Sequence, residues 1–481
     1  MNRKFTSKEE VNDFAQGIIG KKFGDLAPDK KTTEKNYIAD IFEEWFEKKK
    51  DSNSKPDLGV VELKATSYRK LKNGNFSSKE RLVLNIINYN DLVNEEFESS
   101  HFIQKNKTLE IGFYQYFENN LKNEWSFSHM VLYEMARNKT DYEIIKNDWK
   151  IIQQYVRDGR AEELSESLTV YLSACTKGGK GGNPRRQPFS NVMAKQRAFS
   201  LKQGYMTRIL RHNVLGNEHN DSIIKSSGSL DNKSLSEIII DKLNSFIGKS
   251  TEELMLEFNF KSKSKNLNNQ LIRRMLSLDD KKRQMFLNND ELKKAMILLK
   301  IVEFSKNGYN KDNMSFLAFD FEDICKQRWT DKDGNPSADI NVMFSEGTIA
   351  ACVFQKNNLG RSIFKGVRFF SIPKEDIDGD IRDCWNKTIS VLNSGVELMY
   401  KKTKKGHKVL NNLPKKSENK IIHVKPHTGE SAYIKNSYSS RLPVKAQWHD
   451  KPEEYSEYYM TKQSFFLNNT YVKSKVKDLL D

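Results

Sequence analysis

Apolar and polar positions along this chain spell helix first and strand afterwards. Between Lys35 and Trp45, the residues Tyr37, Ile38, Ile41, Phe42 and Trp45 recur at the spacing that gathers them on one helical face. Glu43 lies off that stripe. Upstream, Ser7 followed three residues later by Glu10 predicts a helix opened by a capping box. The period then changes. Val60 to Ala65 is a short apolar run and reads as a buried strand. Arg81 to Tyr89 and Thr108 to Phe117, rich in β-branched and aromatic residues, predict a second and a third strand. Lys72-Asn-Gly-Asn75, between the first two runs, has turn chemistry. Helical patterning returns from Ile144 to Leu172.

The second half repeats this pattern in worn form. The helix after Lys265-Asn266 parallels the one after Lys35-Asn36, so that Arg273 falls where Glu43 stands. Met296 to Val302 parallels Val60 to Thr66, with Leu298 in place of Glu62 and Lys300 in place of Lys64. Met314 to Ile324 parallels Leu82 to Leu92, and Thr348 to Gln355 parallels Thr108 to Gln115. Phe199, Leu201 and Tyr205 recur with the same spacing as Phe465, Leu467 and Tyr471. A duplicated α/β fold follows, each copy an α+β mixed sheet flanked by helices. The polar, Ser/Asn/Gly-rich stretch over residues 213–235 reads as the linker. The expected domains are therefore 1–212 and 236–481.

Composition narrows the function. With 481 residues the chain is too long for one core. A net charge of +16 favours a polyanionic partner, nucleic acid first. Four cysteines without close pairs argue against a zinc site and a disulfide framework. The N-terminus has no apolar signal region, and no apolar run approaches the ~20 residues needed to span a bilayer. These features predict a soluble, cytoplasmic protein.

The chemistry concentrates in Lys55-Pro-Asp57-Leu-Gly-Val-Val-Glu62-Leu-Lys64. Side chains alternate along a strand, so Glu62 and Lys64 project from the same face. Two carboxylates and an ammonium converging on one point are costly unless a cation joins them. Mg²⁺, a hard ion that takes carboxylate oxygens, is the natural choice, and metal-assisted hydrolysis of a phosphodiester is the natural reaction. The basic, glycine-rich run Thr176-Lys-Gly-Gly-Lys-Gly-Gly-Asn-Pro-Arg-Arg186 lets backbone approach a phosphate closely. It lacks the Gly-Lys-Ser/Thr ending of a nucleotide-binding loop. His423 and His427 flank Lys425-Pro426 on a strand-like run, which favours a DNA-contacting loop over a metal site.

These residues carry a resemblance. Phe42-Glu43-x-Trp45-Phe46, Lys48 to Asp57, Val61 to Thr66, Ser77 to Tyr89, Lys195 to Lys202 and Tyr459 to Phe465 are together similar to the GATC-cutting type II restriction endonucleases of the Sau type, relatives of the mismatch-repair endonuclease MutH. The resemblance covers essentially the whole chain. It implies two tandem MutH-like restriction-endonuclease-fold domains. The first would be catalytic, with Glu43, Asp57, Glu62, Lys64 and Lys105 as its active site. Asp57, Glu62, Glu43 and the Leu63 carbonyl would hold Mg²⁺. The second would bind another copy of the site as an allosteric effector. Thr176, Lys177, Gly178, Lys180, Ser200 and Lys202 would contact DNA in the first copy, and Lys425, Pro426, His427 and Phe466 in the second. MutH carries a tyrosine at the position of Ser200. Duplex DNA, two GATC sites at once, is the implied partner. A DNA methyltransferase would be a functional partner, and a DNA-induced dimer is compatible with the pattern. A mismatch-repair nickase and a non-catalytic DNA-binding protein are the competing classes.

Overall fold

A computed structural model describes residues 5–34, 36–48, 55–71, 74–117, 120–178, 183–216, 222–224, 227–230, 233–264, 266–278, 289–331, 334–403 and 406–480. The chain forms two compact units, one of residues 1–241 and 277–297, the other of residues 242–276 and 298–481.

In the first unit, β1 (Glu62–Lys70) is followed by β2 (Phe76–Ser78), β3 (Leu82–Ile86), β4 (Thr108–Gln115) and β5 (Phe127–Glu134). Next come β6 (Leu172–Thr176), β7 (Pro184–Gln187), β8 (Ser190–Lys195) and β9 (Arg197–Leu201). One mixed sheet has the order β2-β1-β4-β5, a second is β3-β9-β6, and β7 with β8 makes a hairpin. β1 lies parallel to β4, with Glu62 opposite Leu109 and Lys64 opposite Ile111. Helices flank the sheets, among them Lys8–Gln16, Tyr37–Trp45, Lys139–Arg157 and Gln203–Leu215.

The core beneath β1 gathers Ile41, Phe42 and Phe46 from the helix side with Val61, Leu63 and Phe127 from the sheet. Gly112 on β4 is needed there, because a Cβ would stand 2.7 Å from the Phe127 ring.

In the second unit, β10 (Ile297–Phe304) leads to β11 (Met314–Phe319), β12 (Thr348–Lys356) and β13 (Ser362–Phe370). β14 (Glu397–Thr403), β15 (Gly406–Asn411), β16 (Ile422–Pro426), β17 (Ser439–Arg441), β18 (Gln447–His449), β19 (Tyr459–Thr461) and β20 (Gln463–Leu467) complete it. The sheets β10-β12-β13 and β11-β20-β16 repeat β1-β4-β5 and β3-β9-β6 in order, so the duplication read from the sequence is present in the topology. The helices Tyr37–Trp45 and Leu267–Met275 match in length and place Glu43 and Arg273 at the same turn.

Several local expectations differ from what forms. The Ser7 hydroxyl accepts from Glu10 N–H, but the Glu10 carboxylate accepts from Thr6 N–H at 2.9 Å, so the box is displaced by one residue. β1 is followed by the short β2, which pairs antiparallel with it, before β3 begins, while Lys72 and Asn73 of the expected turn lie outside the described residues. The helical segment expected to reach Leu172 ends at Arg157, and Leu172 opens β6.

The single-linker division at residues 213–235 also gives way. Asn213 lies within a helix, and Ile223, Ile224 and Leu230 are buried. The helix Asp290–Ala295, expected in the second domain, packs in the first unit. There Lys294 donates to Asp141 at 2.8 Å and Arg208 pairs with Asp290. No helix among the described residues is long and apolar enough to cross a membrane.

Candidate active site

Three elements converge at the start of β1. The helix Tyr37–Trp45 buries Ile38, Ile41 and Phe42, which turns Glu43 towards the sheet's end, half-buried. A tight turn over Pro56 to Gly59 follows, closed by Gly59 N–H to the Pro56 carbonyl at 3.0 Å. Gly59 has φ +77°, a conformation that favours glycine. β1 then begins at Glu62, which is 2% exposed.

Asp57 and Glu62 are interlocked through backbone. Asp57 N–H donates to Glu62 Oε2 at 3.1 Å, and Leu63 N–H donates to Asp57 Oδ2 at 3.0 Å. Lys64 Nζ donates to Glu62 Oε1 at 2.7 Å, as strand alternation predicts. Lys105, on the helix His101–Asn106, brings Nζ to 3.6 Å from the same oxygen. Glu43 stands with its Oε2 3.8 Å from Lys48 Nζ, and Lys48 is bonded to Asp57. Burial pushes the Glu43 carboxyl above its ordinary range, with Lys48 opposing and Asp57 adding to the rise. The five predicted catalytic residues are therefore brought together.

Lys48 is the residue that sequence reading missed. It sits in a run of lysines that reads as solvated loop, yet its side chain is only 9% exposed. The sequence signal available was its closeness to both Glu43 and Asp57. Asp51, the other acidic residue between Lys48 and Asp57, lies outside the described residues.

Among the described residues, no group of three or more His, Cys, Asp or Glu side chains is gathered closely enough to hold a metal ion as it stands. Lys48, Lys64 and Lys105 instead stand against the three carboxylates. The donor chemistry nonetheless suits a hard divalent cation: Asp57, Glu62 and Glu43 offer only oxygen, and an ammonium already occupies the electrostatic position between two of them.

The predicted DNA contacts divide. Thr176 and Lys177 are half-buried at the end of β6, and Gly178 is exposed with φ +89°. Their backbone is held by Lys177 N–H to the Gln196 carbonyl at 2.8 Å and by Thr176 N–H to Glu166 at 3.4 Å. Arg81 pins that glutamate at 3.0 Å. Lys180 lies outside the described residues.

Ser200 and Lys202 lie inside the fold. β9 is the middle strand of its sheet, and Ser200 is fully buried, its hydroxyl 2.9 Å from that of Ser173. Lys202 is also fully buried, with its ammonium bonded to the Thr169 carbonyl. In the second unit Lys425, Pro426 and His427 are exposed at the end of β16. Phe466 is half-buried and stacks on His423 with ring centroids 5.8 Å apart.

The family model for the DNA mismatch repair enzyme MutH matches residues 46–148, which include Lys48, Asp57, Glu62, Lys64 and Lys105. A type II restriction enzyme of Staphylococcus aureus, Sau3AI, is 44% identical over 486 aligned residues, covering 99% of this chain and 99% of its own.

Proposed function

As a member of the Sau3AI-like type II restriction endonucleases with a MutH-like nuclease domain, the chain is an endodeoxyribonuclease, and we propose that it cuts both strands of duplex DNA at GATC in a Mg²⁺-dependent reaction. The observation that carries this reading is the interlock of Asp57, Glu62 and Lys64 at the mouth of β1. A carboxylate pair fixed by backbone N–H groups is preorganised, so little reorganisation is needed when charge develops on a phosphate.

Asp57 and Glu62, with the Leu63 carbonyl beside them, would hold the Mg²⁺ ion, and Glu43 would hold a second ion or its waters. When bound, the ion would supply a water of lowered pKa and positive charge to offset that of the phosphate. Lys64, anchored on Glu62, positions the attacking water or meets the developing negative charge. Lys105 approaches the same glutamate and adds positive charge near the scissile phosphate. Lys177 and the backbone at Gly178 hold the DNA backbone and approach base edges.

The second unit repeats the fold without the carboxylates. It binds a second GATC duplex and raises the rate of the first unit. The enzyme works in the cytoplasm beside a methyltransferase that protects host sites.

Glu62→Ala tests the catalytic assignment. Cleavage of a GATC plasmid should fall by roughly a thousandfold or more, with duplex binding retained. Cutting at the parental rate by this variant would refute it. Nicking without double-strand breaks by the purified parent would favour a mismatch-repair type of activity.

A further inference from the structure

In the first unit the Lys64 ammonium is held by Glu62. In the second, Leu298 stands in the glutamate's place, and Lys300 turns to the other sheet. Its Nζ donates to the Ser315 carbonyl and lies 4.7 Å from the centre of the Phe316 ring. No carboxylate among the described residues pairs with it, and burial pushes its pKa down to about 8. A half-buried cation facing only a carbonyl dipole and a π face is under-compensated.

The surroundings are of the same sign. Ser315 on β11 pairs with Phe466 on β20, which pairs with His423 on β16. Lys425 Nζ stands 5.8 Å from the Phe466 ring centre. His427 follows, bonded to the Ser464 hydroxyl at 2.7 Å. Its pKa is lowered first by burial and then by the charges of Lys462 and Lys300. Lys462 donates to the Ser437 carbonyl at 2.8 Å. Among the described residues neither the three lysines nor His427 has a carboxylate partner. At the matching positions of the first unit stand Cys175 on β6 and Lys177 just beyond it, and Lys177 N–H donates to the Gln196 carbonyl as His427 N–H does to that of Lys462.

We propose that the worn site of the second unit is a phosphodiester-binding site, in which Lys300, Lys425, His427 and Lys462 grip one backbone phosphate of a duplex bound to that unit. Loss of the carboxylates thus exchanged the ligand of this strand end, from a cation to an anion. The proposal rests on the reading that the second unit binds DNA.

The test uses the full chain carrying Glu62→Ala, so that DNA stays intact, titrated with a short duplex bearing one GATC. Two equivalents should bind. Adding Lys300→Met should leave the first equivalent unchanged and weaken the second roughly tenfold, with its salt slope reduced by about one phosphate contact. Lys300→Arg should keep the second equivalent. Lys425→Met, at an exposed position that does not threaten folding, should weaken the same equivalent. A single methylphosphonate at the gripped phosphate should weaken binding to the parent and have no added effect on Lys300→Met. An unchanged second equivalent in both Met variants overturns the phosphate assignment alone. One equivalent bound by the parent overturns the DNA-binding reading as well.

Discussion

The Lys48 ammonium is bonded to the Asp57 carboxylate, 9 residues on in sequence. The same ammonium reaches to 3.8 Å from Glu43, so one lysine compensates two of the three acidic groups. Removing one partner of a buried pair leaves an uncompensated charge and costs about 3 kcal/mol. Lys48→Met should therefore melt earlier than the parent in metal-free buffer. Mg²⁺ should raise its melting temperature more than it raises the parent's, since binding to the folded state stabilises it. Equal Mg²⁺ responses in thermal melts would count against a metal held by Asp57 and Glu43.

If the second unit is an effector, substrate geometry sets the rate. Plasmids with two GATC sites should be cut faster than plasmids with one at limiting enzyme, and an added short GATC duplex should accelerate the one-site plasmid. Initial rates from gel densitometry decide this. Equal rates with no response to the added duplex exclude the effector role.

Glu110, opposite Leu63 on β4, gives a pH signature. Burial raises its pKa from 4.5 to about 7, and the Asn12 amide, donating at 3.0 Å, only partly opposes the rise. The folded state therefore binds more protons than the unfolded state between those two values, and stability falls as pH rises through that window. The full penalty above it is about 3 kcal/mol. Glu110→Gln should match the parent near the lower value and exceed it at alkaline pH. Chemical denaturation across the pH range measures it, and parallel curves would show that Glu110 is not the source.

Lys294→Met should destabilise the first unit by about 3 kcal/mol, because Asp141, 7% exposed, would keep only the Tyr205 hydroxyl at 3.1 Å of its side-chain donors described here. The unfolding transition of the first unit should move to lower denaturant. A shift confined to the second unit's transition would contradict the placement of the helix Asp290–Ala295.

What could be read from the sequence was local. Glu62 and Lys64 meet because strand alternation is a two-residue rule, and Asp57 joins them through a turn that Gly59 makes available. Arg273 and Leu298 mark the worn copy because the helix and strand recur in order. What could not be read depends on distant partners. Lys48 looks like solvated charge until it meets Glu43 and Asp57. Ser200 and Lys202 look accessible until β3 and β6 enclose β9 from either side. The bond between Lys294 and Asp141 joins residues 153 apart in sequence, and no periodicity near either one announces it.

The helix Asp290–Ala295 also bears on ancestry. A tandem gene duplication normally leaves two halves that recombination can separate again. Here a strip encoded beyond the start of the second copy has become part of the body of the first. A gene fragment carrying the catalytic copy alone would lack the lysine that neutralises Asp141, and one carrying the second copy alone would contain a helix that has lost its partner. Descendants of this protein can lose an activity far more readily than they can lose a half.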